Sequence, residues 1–162
     1  MKNELRLIFA DQKIEDLIDP IIFLAGPTPR SHQDVRSWRP EMIYNLLIEG
    51  FSGTILIPED SSGKYRNDYI AQVNWETEGL EASHLILFWV PRSELLPGFT
   101  TNVEFGEHLS SGKIVYGRPD NAMKTKYLDY KYKKYYSDFG EPANSLRDLA
   151  VDTIARSNNL KK

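Results

Sequence analysis

The 162-residue sequence predicts an α/β protein, a single domain built on a doubly wound parallel sheet of four to five strands with helices on both faces. Three observations predict it. Short runs that are apolar throughout alternate with longer windows of helical spacing, the pattern of strands buried on both faces by crossover helices. Each apolar run ends in Gly, Pro or a polar loop. The length suits one core, and a hydrophobic content of 41% with 27% charged residues is ordinary for a globular chain. There is no internal repeat and no low-complexity linker.

The elements follow in order. "LRLIF", from Leu5, reads as an extra edge strand. "PIIFLAG" (Pro20–Gly26) is a continuous apolar run closed by Gly and Pro, and so the first core strand. "SWRPEMIYNLLIEGF" predicts a helix with Ser37 as N-cap, Met42, Leu46 and Leu47 at helical spacing and Gly50 at its end. "GTILIPE" is the second core strand. "NDYIAQVNWETEGLEAS" reads as a helix of moderate periodicity through Ile70, Val73, Glu78 and Leu80. "HLILFWV" is the third core strand, followed by a helix opening at Thr101, and "KIVYG" is the fourth. "MKTKYLDYKYKKYYS" and "ANSLRDLAVDTIARSNN" close the chain as helices.

Right-handed crossovers place every strand-to-helix loop at one edge of such a sheet, where ligands bind at the switch point of strand order. The loops "GPTPR", "PEDSSGKYRND", "PRSELLPGFTTN" and "GRPDNA" are therefore expected to meet around the chemistry.

Composition narrows the classes. The absence of cysteine excludes disulfides, thiolate metal sites and cysteine nucleophiles. A net charge of -3 argues against a broad nucleic-acid surface. The charged N-terminal stretch lacks the apolar core of a signal peptide, and no apolar run approaches the ~20 residues that cross a bilayer. A cytoplasmic protein is expected.

Glu104 carries two readings. Thr101-Asn-Val-Glu104 fits a capping box, in which each side chain satisfies the other's backbone amide. Alternatively, a carboxylate at the cleft mouth is the nucleophile that a retaining glycosyl transfer needs. A Glu folded back onto its own cap cannot also reach a sugar. Gly106 would let this helix pack closely on the sheet.

Of Glu76, Glu78 and Glu81, the last reads as a solvated face. Trp75-Glu76 could point into the cleft, the indole stacking a flat ligand and the carboxylate holding a base or a proton, although aromatic residues at helical spacing usually belong to the core. "AGPTPR" is neither a P-loop nor GxGxxG, and leaves a Gly26-Pro27 turn where bare backbone could approach a ligand. Arg30, Arg36 and Arg39 read as surface residues, one of which a phosphate-bearing substrate would want. His32, His84 and His108 have no metal spacing, and no metal is assigned; His108 lies four residues after Glu104 and could touch it. "KYLDYKYKKYYSDF" mixes Lys and Tyr as strand-binding surfaces do, but its Tyr127, Tyr130 and Tyr135 fall near helical spacing.

Together "IFLAGPTPR", "SWRPEM", "VNWE", "ILFWVPR", "PGFTTNVEFGE", "SGKIVYGRP" and "YLD" resemble the nucleoside 2-deoxyribosyltransferase-like family, in order, from about Ile21 to Leu128. "TTNVEFG" after "LFWVPR" is the most specific piece. The resemblance implies a flavodoxin-like sheet and cleavage of an N-glycosidic bond; no cofactor is expected. It makes Glu104 the nucleophile and Glu76 the assisting acid. Gly26, Pro27, Trp75, Gly98, Thr101 and Asn102 would line the substrate pocket. It also implies a homo-oligomer, with Asn121 of "GRPDNAM" a candidate to reach the neighbour's site. Two positions depart from relatives: Gly98 stands where some carry Asp or Ser to grip the sugar's 5′ end, and Ser83 where several carry Asp.

The expected substrate is a small-molecule nucleoside or its 5′-monophosphate, with a free base or water as acceptor. A base as acceptor makes a transferase, and water makes an N-glycoside hydrolase. The rivals are a non-catalytic nucleotide-binding domain and a single-strand-binding module on the Lys/Tyr helix.

Overall fold

Five parallel strands in the order β1-β3-β2-β4-β5 form the sheet. The strands are β1 (Leu5–Phe9), β2 (Ile21–Ala25), β3 (Gly53–Ile57), β4 (Leu85–Trp89) and β5 (Ile114–Gly117). The computed structural model describes residues 4–30, 34–62 and 68–160, so His32 and the end of the "PEDSSGKYRND" loop's "SSGK" lie outside the described residues. Every residue of β2, β3, β4 and β5 is buried, which is why these strands read as unbroken apolar runs. β1 joins as the predicted edge strand, paired in register with β3 from Leu5 opposite Gly53 to Phe9 opposite Ile57.

The helices are α1 (Arg39–Ile48), α2 (Tyr69–Ala82), α3 (Phe99–His108), α4 (Lys126–Tyr135) and α5 (Leu146–Leu160). Strand side chains alternate between two apolar layers. Phe23, Ile86, Phe88 and Tyr116 pack with Trp75 of α2, Phe105 of α3 and Tyr132 of α4. Ile22, Leu24, Leu87 and Val115 pack with Met42 of α1 and Leu149 of α5. The sheet is thus covered on both faces, in a flavodoxin-like arrangement with β1 added at its edge.

Local chemistry sets the helix limits. Ser37 precedes rather than occupies the N-cap of α1; Trp38 holds that position, and Ser37 Oγ accepts the Arg39 amide at 3.1 Å. At the far end the Phe51 amide donates to Leu46 O at 2.9 Å and the Gly50 amide to Leu47 O at 3.0 Å, the paired bonds of a Schellman turn. Met42 and Leu46 are buried as expected, whereas Leu47 faces solvent. In α2 the inward stripe is Gln72, Trp75, Gly79 and Leu80, not Ile70 and Val73, which are exposed. Its N-cap is Asp68, whose side chain accepts the Ala71 amide at 3.0 Å. Ser83 is structural, its Oγ donating to Gly79 O at 2.7 Å.

The tyrosines of α4 divide between two faces. Tyr132 is buried with Leu128, and Tyr136 stacks on it at 5.0 Å between ring centroids. Tyr127, Tyr130 and Tyr135 are the exposed ones. No helix among the described residues is long and apolar enough to cross a membrane.

Candidate active site

The switch point lies between β2 and β4, because β2 pairs with β3 on one side and β4 on the other. Beyond the carboxyl ends of these strands is a cleft of about 550 Å³. Gly26, Pro27 and Thr28 line it from the turn after β2, Leu95 to Gly98 from the loop after β4, and Pro58 from just beyond β3. Glu76 of α2 and Glu104 of α3 reach the same cleft from opposite helices.

Backbone shape makes this convergence possible. Gly26 has φ +143, and a Cβ there would sit 2.1 Å from Trp89 O. Only a glycine lets the β2 turn lie so close against the end of β4. Gly98 is the N-cap of α3 in the left-handed conformation, with φ 61, and a Cβ there would approach Pro27 Cγ to 2.7 Å. The two turns therefore close on each other at the cleft floor.

The position of Gly98 removes the capping reading of Glu104. Helix α3 begins at Phe99, two residues before the expected opening, so Thr101 lies inside the helix and cannot be its N-cap. The capping box is not formed. Glu104 is the sixth helical residue, past the open amides of the first turn, and its side chain lines the cleft. Gly106 does not pack on the sheet; it is exposed, and a Cβ there would meet nothing within 4 Å.

The two carboxylates feel each other. Burial and then the Glu76 charge push the Glu104 carboxyl up to about 8; Arg39 pulls it down and Glu107 adds a smaller upward push. Burial raises Glu76 as well, opposed by the Gln72 hydrogen bond and by Arg39. Two coupled acids in one poorly hydrated cleft retain a proton that isolated carboxylates would release at neutral pH.

Arg39 is no surface residue. It is 1% exposed, and its guanidinium is spent on the β2 turn. Nε donates to Leu24 O at 3.0 Å, Nη2 to Gly26 O at 2.9 Å, and Nη1 to Thr28 Oγ1 at 3.0 Å and Glu59 Oε1 at 2.5 Å. Ser37 Oγ donates to the same Glu59 oxygen at 2.6 Å, and Trp38 Nε1 to Pro27 O at 3.1 Å. This web was not legible in the sequence. The one available signal was the acid closing "GTILIPE", a charge at the end of a fully buried strand.

The remaining expected residues fall in different places. Trp75 is buried in the core at 6.0 Å from the Phe23 ring, with Nε1 donating to Gln12 O at 2.9 Å, and does not line the cleft. Thr101 is buried, and Asn102 turns away from the cleft to accept from Arg92 Nη2 at 2.5 Å. Asn121 is exposed in the loop after β5. Of the three arginines, Arg30 lines the cleft. His108 is governed by burial, Lys113, Glu107 and Glu81, all without Glu104, and is lowered overall.

The family model described as "Nucleoside 2-deoxyribosyltransferase like" matches residues 19–122, from the strand before the cleft to the loop after β5. The chain belongs to this nucleoside 2-deoxyribosyltransferase-like family. None of the curated proteins matches the chain. The matched segment contains β2 to β5 with α1, α2 and α3, and so every element that lines the cleft. Membership in the deoxyribosyltransferase-like family indicates a glycosyltransferase-like enzyme with small-molecule nucleoside substrates.

Proposed function

We propose that the chain, as one domain, cleaves and transfers the N-glycosidic bond of a (deoxy)nucleoside or its 5′-monophosphate through a covalent glycosyl-glutamate. The observation that carries this reading is the convergence of Glu76 and Glu104, from two helices, on the cleft at the sheet's switch point. Two carboxyl groups facing one glycosidic bond are what a retaining mechanism uses.

In the first step a Glu104 oxygen attacks the anomeric carbon from the face opposite the base. The C–O ester bond forms as the C–N bond breaks, and the bond's electron pair leaves with the base. Glu76, or a water it orients, delivers the proton that neutralises the departing base. In the second step an acceptor base or water attacks the same carbon and gives its proton back to Glu76, directly or through the oriented water, while the ester breaks and Glu104 leaves as a carboxylate. Water as acceptor gives hydrolysis and a base gives transfer, so exclusion of water from the cleft decides the balance.

Gly26, Pro27 and Gly98 offer backbone and ring surface to the sugar and base. Gly98 supplies no side chain for a 5′-hydroxyl. Arg30, the one arginine of its group on the cleft wall, is suited to a 5′-phosphate instead. Exposed apolar residues line the cleft, Tyr69, Val73, Leu95 and Phe99 among them, with Phe99 78% exposed. This lining supports a homo-oligomer in which a second copy, by its Asn121 loop, completes the cleft.

The test is mass spectrometry of intact protein mixed briefly with nucleosides and 5′-monophosphates bearing a 2-fluoro sugar. A sugar-sized adduct on Glu104, absent from Glu104→Gln, is expected. Full turnover by Glu104→Gln would overturn the nucleophile assignment.

A further inference from the structure

On the other side of α3 from the cleft, a groove of about 510 Å³ runs between α3 and α4 and shares no lining residue with the cleft. Its floor is apolar, from Phe105, Leu109 and Leu128. Its charged lining residues are Arg92, Lys124 and Lys131, with no carboxylate among them. Tyr127 and Tyr135 form an aromatic wall.

Three cations together are out of character for a chain with 23 acidic and 20 basic residues. Their neighbours do not neutralise them. Arg92 is 8% exposed; it donates to the neutral acceptors Lys124 O at 3.0 Å and Asn102 Oδ1 at 2.5 Å, and its buried Nε has no partner among the described residues. Lys124 and Lys131 form no ion pair among the described residues, and Lys131 lies over the Tyr127 ring at 5.5 Å. The nearby carboxylate Asp129 is taken by Arg118 at 2.8 Å.

The groove is also held in shape. Lys124 has φ 52, a left-handed conformation that a lysine adopts at a cost. It is kept there by Arg92, whose Nη1 donates to Lys124 O while its own carbonyl accepts the Met123 amide at 3.0 Å. Strain maintained by a buried arginine at the edge of a cavity is an arrangement found at ligand clamps.

We propose that this groove is a second binding site, for a small phosphorylated aromatic molecule of nucleoside 5′-monophosphate size. Lys124, Lys131 and Arg92 supply the field for the phosphate, and Tyr127 and Tyr135 the stacking surface for the ring. The volume lies in the range of small-molecule sites and suits one such ligand rather than a strand. The proposal does not rest on the glycosyl-transfer reading of the cleft.

Photolabelling tests it, with 8-azidoadenosine 5′-monophosphate as the probe and peptide mapping by mass spectrometry as the readout. Labelling of the α4 peptide containing Tyr127 and Tyr135 is expected, with protection by adenosine 5′-monophosphate at least tenfold more effective than by inorganic phosphate. The double variant Lys124→Ala/Lys131→Ala, and separately Tyr127→Ala, should weaken α4 labelling tenfold or more while labelling in the cleft and turnover stay unchanged. Label confined to cleft peptides, or α4 labelling indifferent to these variants, overturns the proposal. Protection by a single-stranded oligonucleotide far beyond that by the same concentration of mononucleotide overturns it in favour of a strand. Loss of α4 labelling as the chain self-associates overturns it in favour of a second copy covering the groove.

Discussion

The side-chain amide of Gln72 donates to Glu76 Oε1 at 2.9 Å from one turn earlier on α2, and the same nitrogen donates to Pro58 O at 3.1 Å. One amide group thus ties Glu76 to the end of β3. Gln72 is fully buried, so nothing in solvent can replace it.

Gln72→Met should therefore act on Glu76 through its protonation and position. The hydrogen bond favours the charged carboxylate, so its loss lets burial raise Glu76 further. The alkaline limb of the kcat/KM profile, set by the proton donor, should move to higher pH, and Tm should fall for a cost of about 1–3 kcal/mol from the unpaired Pro58 carbonyl. A fall in Tm with an unmoved pH profile would mean that Gln72 only packs.

Glu104 makes stability depend on pH. Between its ordinary value of 4.5 and about 8 the folded chain holds a proton that the unfolded chain has released. Stability contributed by this group is fully present below 4.5 and is lost as pH rises through about 8. Glu104→Gln removes the titration. Its Tm advantage over the parent should be smallest near pH 5 and grow toward pH 8, as read by thermal melts across that range; a pH-independent difference would place Glu104 in better-hydrated surroundings.

For the same reason, turnover that needs an ionised nucleophile should climb with pH. We expect kcat/KM to rise across neutrality, to reach half its limit near pH 8, where the Glu104 carboxyl is half ionised, and to level only above that. A profile already flat at pH 6 would show that the acid pair releases its proton much earlier.

Arg39 and Glu59 form a buried pair at 2.5 Å, and each alone leaves an uncompensated charge. Arg39→Met or Glu59→Gln should cost about 3–5 kcal/mol in denaturant melts. The double replacement Arg39→Met/Glu59→Met should cost less than the sum of the single ones. It should also slow turnover, because the β2 turn loses its guanidinium and both cleft acids lose the cation that draws them down.

Gly98→Ala tests the cleft floor. The left-handed backbone costs a non-glycine residue about 1 kcal/mol, and the overlap with Pro27 adds to it. Tm should fall modestly while adduct formation falls much more, since the start of α3 sets where Glu104 points. Equal loss in both would indicate simple destabilisation.

Much of this was legible in the sequence, for particular reasons. β2 to β5 are buried on both faces, so their identity is written in every residue, and topology alone then brings the loops after β2 and β4 together. That reasoning put Glu76 and Glu104 on the same side of the sheet. The start of α3 was not legible, because Gly98 caps by its backbone conformation and carries no side chain to announce it. Arg39 was misread because its partners Leu24, Gly26, Thr28 and Glu59 come from separate stretches that only the fold assembles. Trp75 and the α4 tyrosines were ambiguous for a simpler reason: helical spacing groups residues by face, but does not say which face turns inward.

Arg39 has one more consequence. Among the described residues it is the basic one that lowers both cleft acids, and it is 1% exposed. Dissolved ions screen charges they can surround, over about 8–10 Å at moderate ionic strength, and they cannot surround this one. The pull of Arg39 on the two acids should therefore vary little with the salinity of the medium.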